Sequence, residues 1–151
     1  MNESLERIKG YLNAFEAVND GNYEGTNYLV DEIEFDGDEV ISIENYLMRR
    51  FNSYEKPKSL SFERINNWKE SLEIIFKNYF TRNVKLMTDL YKIKFIEMLN
   101  KYINNEHFEV LGSGINYCYS SIAEYIGEVS GSDIIFIFNK KILIIHFGIN
   151  D

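Results

Sequence analysis

Residues Ser132 to Gly148 read SDIIFIFNKKILIIHFG, a run that is almost continuously apolar, β-branched and aromatic. It breaks only at Asn139-Lys140-Lys141. A strand with one wet face alternates polar and apolar side chains, whereas a strand covered on both faces loses that alternation. The run therefore predicts a buried hairpin, Ile134–Phe138 pairing antiparallel with Lys141–Phe147, with helices covering both sides. Whatever the rest of the chain does, it has to supply those helices.

Three further stretches carry helical spacing. Leu5, Ile8, Leu12 and Phe15 fall three to four residues apart, with Asn2 or Ser4 placed to cap the N-terminus. Ile65, Trp68, Leu72, Ile75, Phe76 and Tyr79 form a stripe predicting a helix over Ser61–Tyr79. Met87, Leu90, Tyr91, Phe95, Met98, Leu99 and Tyr102 predict another over Val84–Tyr102. A shorter helix is expected in SIENYLMRRFNSY, capped by Ser42, and another in SIAEYIGEVS, ending near Gly127 or Gly131. EVLGS reads as a short strand. Leu29, Ile33 and Phe35 share a face at period two, and Asp36-Gly37 is a good hairpin turn because both residues tolerate positive φ, with Val40 and Ile41 opening a return strand. The fold class is α+β: several helices packed on a small, mostly antiparallel sheet with a buried C-terminal hairpin.

At 151 residues, with one proline and no low-complexity tract, residues 1–151 read as a single globular domain. No apolar run is long enough to span a bilayer, and the first twenty residues lack the uninterrupted apolar core of a signal peptide. One cysteine, Cys118, cannot form an internal disulfide; beside Tyr117 and Tyr119 it reads as a small buried hydrophobe. A free thiol without an export signal points to the cytoplasm.

Charge is unevenly placed. The chain carries a formal net charge of −8; residues 1–48 hold twelve acids against two bases, and residues 49–101 hold six against twelve. Such a field steers cationic partners and disfavours non-specific nucleic-acid binding. The densest stretch is DEIEFDGDEV, with Asp31, Glu32, Glu34, Asp36, Asp38 and Glu39 around one glycine. A calcium loop with Gly37 at its sixth position would need a glutamate at the twelfth, where Ile43 stands instead. Six acids on a polar turn look solvated, which does not suit a carboxylate pair of raised pKa. No metal and no cofactor are expected.

Other chemistry is thinly represented. Two histidines and one cysteine do not supply a zinc set. His146, inside the apolar run, reads as a satisfied core histidine, and His107 as a loop residue. A Cys118 dyad with either histidine is the enzymatic alternative, but Cys118 has no local feature to activate it. Gly112-Ser113-Gly114 lacks the residues of a phosphate cradle and reads as a flexible turn. The lysines of the middle segment are diluted by Glu63, Glu70, Glu73, Asp89 and Glu97 and read as solvated helix faces, or as internal partners for the acidic N-terminal third.

A small, acidic, aromatic-rich domain without metal ligands or a catalytic signature resembles the small immunity proteins of bacterial contact-dependent growth inhibition and other polymorphic toxin systems. The resemblance covers size, charge and architecture across the chain and includes no diagnostic motif. It implies a cytoplasmic toxin inhibitor that acts by protein binding and not as an enzyme. It would neutralise one cognate toxin domain, often a basic nuclease, without touching nucleic acid or membrane itself. The partner-binding residues expected are Asp31, Glu32, Glu34, Asp36, Asp38 and Glu39, with Tyr28 and Tyr46 as aromatic anchors, since tyrosine is enriched at binding hot spots. The same acidic surface would serve a phage-encoded anion mimic that blocks a nucleic-acid-binding enzyme.

Overall fold

The structure is a computed structural model that describes residues 2–19, 25–35, 37–79 and 88–150. Its centre is the C-terminal hairpin: β4 (Ser130–Ile137) and β5 (Lys141–Asn150) pair antiparallel, and the turn closes with the Phe138 N–H on the Lys141 carbonyl at 2.9 Å. Every residue from Gly131 to Phe138 and from Ile142 to Gly148 is buried. Further strands flank the pair, β1 (Gly25–Glu34) beside β5, β3 (Glu109–Ser113) beside β4, and β2 (Glu63–Arg64) outside β3. The sheet order is β1-β5-β4-β3-β2, antiparallel throughout.

Alternation along the hairpin sends side chains into two separate cores, because successive strand residues point to opposite faces. Ile134, Phe136, Phe138, Leu143, Ile145 and Phe147 face three helices: α1 (Glu3–Asn19), α3 (Trp68–Tyr79) and α4 (Thr88–Ile103). Ile135, Ile137, Ile142 and Ile144 face α2 (Glu39–Arg50) and α5 (Ser121–Ile126). Fully burying each such side chain contributes roughly 1.5–3 kcal/mol, so the predicted hairpin is the chief anchor of the fold.

The helices follow their stripes with adjusted ends, except that Leu90, expected on the stripe of α4, is exposed. Leu5, Ile8, Leu12 and Phe15 are all buried, and the Asn2 carboxamide accepts the Leu5 N–H at 3.2 Å. The helix expected from Ser61 begins only at Trp68, where the Asn67 side chain accepts the Glu70 N–H at 3.3 Å. Residues upstream are drawn into the sheet instead: Glu63 and Arg64 pair with Gly112 and Leu111, and the Ile65 N–H reaches the Val110 carbonyl at 2.8 Å. The expected Val84–Tyr102 helix is present from Thr88; residues 84–87 lie outside the described set. Gly127 ends α5 in the left-handed conformation, φ 78.

The acidic stretch departs from its expected hairpin. Val40 and Ile41 do not start a strand; they form the first turn of α2, and β1 leads directly into that helix. Gly37 takes φ +111, and Asp38, not Ser42, is the N-cap, its carboxylate accepting the Ile41 N–H at 2.9 Å. Ser42 instead donates its hydroxyl to the Asp38 carbonyl at 2.7 Å. The apolar period of Ile43, Tyr46 and Leu47, all buried against the sheet, outweighs the local turn signal. Asp38→Ala should cost about 1 kcal/mol in urea denaturation and Asp38→Asn much less, because asparagine also caps. Equal losses for the two would remove the cap from this account.

Candidate protein-binding groove

Four segments converge at one end of the sheet. After β1, the Phe35 N–H reaches across to the Lys140 carbonyl at 3.0 Å and carries the strand to the level of the β4–β5 turn. α2 starts beside it at Glu39. From the other side α4 ends at Ile103, and Asn104 and Asn105 reverse the chain in left-handed conformations, φ 47 and 62. Asparagine tolerates that region better than most residues. Glu106 and His107 then lead into β3 at Glu109.

These segments enclose an open groove of about 800 Å3. Its floor is apolar, made of Phe35, Ile137 and Phe138, and its rim carries the carboxylates of Glu39, Glu106 and Glu109. Lys140, Lys141 and His107 complete the lining. Arg64 on β2 ties two of the acids, with Nη1 2.5 Å from Glu109 and Nη2 3.6 Å from Glu39. Lys141 Nζ lies 3.4 Å from Glu32 and 4.0 Å from Glu106, over the Tyr102 ring at 4.6 Å and the Phe138 ring at 5.2 Å. A cation held between carboxylates over aromatic faces is thus already one arrangement this end of the molecule makes. A second opening, of about 520 Å3, lies between the connection 51–60 and α5; there Lys56 and Lys58 balance Glu55 and Glu124.

The predicted binding residues are dispersed. Asp31 and Glu32, adjacent on β1, point to opposite faces of the sheet and both are half-buried. Asp31 accepts the Tyr46 hydroxyl and lies 3.6 Å from Lys9. Glu32 accepts the Tyr102 hydroxyl at 2.7 Å. Burial first, and then the bond to the carboxylate, pushes both of those tyrosine hydroxyls far above their ordinary range. Glu34 is exposed at the end of β1, Asp38 caps α2, and Glu39 lines the groove; Asp36 lies outside the described residues. Asp31 and Glu32 are therefore internal partners of cations and tyrosines, not members of a solvated turn.

Tyr28 and Tyr46 are not surface anchors. Tyr28 is 3% exposed, its hydroxyl donating to the Tyr79 carbonyl at 2.9 Å, and Tyr46 is 6% exposed. Both are odd candidates for a contact surface because each sits on the apolar stripe of its own element. Among the described residues, the tyrosines that are exposed and not half-buried are Tyr54, Tyr117 and Tyr119. Cys118, expected to be buried, is half-exposed in a left-handed turn at φ 54, where the Asn78 amide donates to its sulfur at 3.3 Å.

His146 has no exposed surface, and both ring nitrogens are occupied: Nδ1 lies 2.5 Å from Asp133 and Nε2 2.5 Å from Glu128. It is a satisfied core histidine, as its setting predicts, but its partners are two carboxylates. With both nitrogens engaged it offers no base to Cys118. Two groups of importance escaped the sequence reading. Glu106 and Glu109 lie some 70 residues from the acidic stretch, and only the fold brings them to Glu39. Asp133 was in principle findable, since counting outward from a two-residue turn at Asn139-Lys140 places it directly opposite His146, the register observed.

Among the described residues, no group of three or more histidine, cysteine, aspartate or glutamate side chains is arranged to hold a metal ion. Nor is any described helix long and apolar enough to cross a membrane. No protein-family model matches the chain, and no curated protein is significantly similar to it in sequence. Its fold is similar to that of citrus MAF1, known from a crystal structure, with a TM-score of 0.54 across 97% of this chain and 98% of that one. Identity between the two is 12%, so the likeness concerns the architecture alone.

Proposed function

We propose that this chain is a cytoplasmic binding protein of the immunity type, which neutralises a cognate bacterial toxin domain by seating a basic element of that toxin in the groove at the β4–β5 turn. The observation that carries this reading is the groove itself: an apolar, partly aromatic floor lined by Glu39, Glu106 and Glu109 and by Lys140 and Lys141, of which Lys141 is already held by Glu32 and Glu106, on a chain of net charge −8. A concave apolar centre with a charged rim is the anatomy of a protein-binding hot spot. Glu34 and Asp38, both exposed beside it, extend the negative field. Arg64 neutralises Glu39 and Glu109 only from the surface, its side chain being 60% exposed. A partner's cation can replace it at little cost, because exposed ion pairs contribute about 0–1 kcal/mol. A basic nuclease is the toxin class this field fits best. Phe35, half-buried in the groove lining, takes the anchoring role expected of Tyr28 and Tyr46.

The test uses the polypeptide encoded immediately upstream of this chain's gene. The triple variant Glu39→Gln, Glu106→Gln, Glu109→Gln should keep the wild-type melting temperature within a few degrees. It should associate with that polypeptide about ten-fold more slowly at low salt, since rim charges act mainly on association rate. Wild-type association should slow as salt rises. Tight binding that is indifferent both to the triple substitution and to salt would place the interface elsewhere.

A further inference from the structure

His146 sits on the α2 and α5 face of the sheet, at the point where β4, β5 and the segment after α5 meet. Asp133 opposes it directly across the β4–β5 ladder, and Glu128 reaches down from the segment between α5 and β4. The side chains of all three are 1% exposed or less. Each carboxylate spends its second oxygen on a neighbour. Asp133 Oδ2 accepts the Ile122 N–H in the first turn of α5 at 3.2 Å, and Glu128 Oε2 accepts the Asn27 amide of β1 at 3.2 Å. Two glycines leave the space: a Cβ on Gly148 would lie 2.1 Å from Glu128 Oε2, and one on Gly131 2.6 Å from the Ala123 Cβ and 2.9 Å from His146 Cε1.

The protonation state follows from the donor inventory. A neutral imidazole carries one N–H and one lone pair, whereas an ionised carboxylate offers only acceptors. With a carboxylate oxygen 2.5 Å from each nitrogen, a neutral ring would aim its lone pair at an acceptor in a dry site, where an unpaired polar contact is most costly. With both carboxylates ionised, the arrangement closes only if both nitrogens carry protons. We infer that the proton shared among His146, Asp133 and Glu128 is a clamp that fastens α5 and the segment following it to the sheet, and that withdrawing it loosens this one corner of the fold.

The electrostatics agree. Burial pushes the His146 pKa down, but the hydrogen bonds and charges of Asp133 and Glu128 more than offset it and raise it to about 9. Among the described residues the charged groups facing the ring are these two carboxylates. β1 contributes the neutral Asn27, and α5 contributes Ala123 and backbone N–H groups. Because the folded pKa lies above the unfolded value of about 6.5, the stabilisation is complete below pH 6.5 and is lost as pH rises through 9. The half-buried Tyr11 and the buried Tyr79, pushed up to about 12 chiefly by desolvation, do not titrate in that window.

The experiment is ring-15N NMR of His146 in the wild-type protein, combined with amide hydrogen exchange at pH 6.5 and 9.5 corrected for intrinsic rate. At pH 7 both ring nitrogens should show the shifts of a protonated imidazolium. Between the two pH values the protection of Ile122 and Ala123 should fall by about ten-fold or more, while that of α3 amides falls less. His146→Gln, if it folds, should show no pH dependence of α5 protection over this range. A neutral His146 ring at pH 7 would overturn the inference. So would α5 protection that changes no more than that of α3. Both wild-type readouts stand whether or not the variant folds, and neither depends on the partner.

Discussion

Phe147→Ala should destabilise the protein by about 3–5 kcal/mol, the range for truncating a fully buried aromatic side chain in a rigid core. Phe147 has no exposed surface, and its ring meets three elements at once: Tyr28 of β1 edge-on at 5.2 Å, Tyr79 of α3 stacked at 6.0 Å and Phe95 of α4 edge-on at 6.5 Å. Those neighbours are themselves tied by hydrogen bonds, Tyr28 to the Tyr79 carbonyl and Tyr79 to Ser130 and Ser132. The cavity therefore has little freedom to collapse. Against a typical domain stability of about 5–15 kcal/mol, a loss of that size would bring the urea midpoint down sharply. A shift worth less than about 1 kcal/mol would mean that the three-helix face is not packed as described.

Gly148→Ala should cost about 3 kcal/mol by a different route. The new methyl group occupies the position of the Glu128 carboxylate. That side chain must leave His146, and separating a buried charged pair is far more costly than losing an exposed one. The cost should be specific to the displacement. In a Glu128→Ala background the same glycine substitution should lose most of its effect, giving a coupling energy of about 1–3 kcal/mol in the double-mutant cycle. Additive losses would mean that Gly148 is needed for the backbone of β5 and not for the space it leaves.

How much of this was legible in the sequence depends on which elements carry their own signal. The hairpin was, because Ile134 to Phe138 and Ile142 to Phe147 allow no solvated face. The stripes of α1, α3 and α4 were legible for the same reason, since periodicity reports burial directly. β2 was not: Glu63 and Arg64 are both exposed, so nothing in their pattern records the pairing with β3 that defines them. The acidic stretch misled because Asp-Gly is a strong local turn signal. Burial of Ile43, Tyr46 and Leu47 acts over a longer range and set a helix there instead.

The candidate site was legible only in part. Net charge pointed to a cationic partner, and Glu39 does line the groove. But Glu106 and Glu109 join it through the reversal at Asn104 and Asn105, a tertiary event that composition cannot express. Alternation on β1 likewise took Asp31 and Glu32 out of the presumed surface and gave them to Tyr46 and Tyr102. A run of like charges tells how acidic a segment is. It does not tell which way each side chain points.

The most direct test of the proposed role is protection in living cells. Bacteria expressing the polypeptide encoded upstream of this chain should stop growing, and co-expression of the wild-type chain should restore growth. At matched, low expression the Glu39→Gln, Glu106→Gln, Glu109→Gln variant should protect markedly less while accumulating to the same soluble level. If wild-type and variant chains protect equally, the groove is not the inhibitory surface; if the wild-type chain gives no protection from a polypeptide that does arrest growth, the immunity reading is wrong.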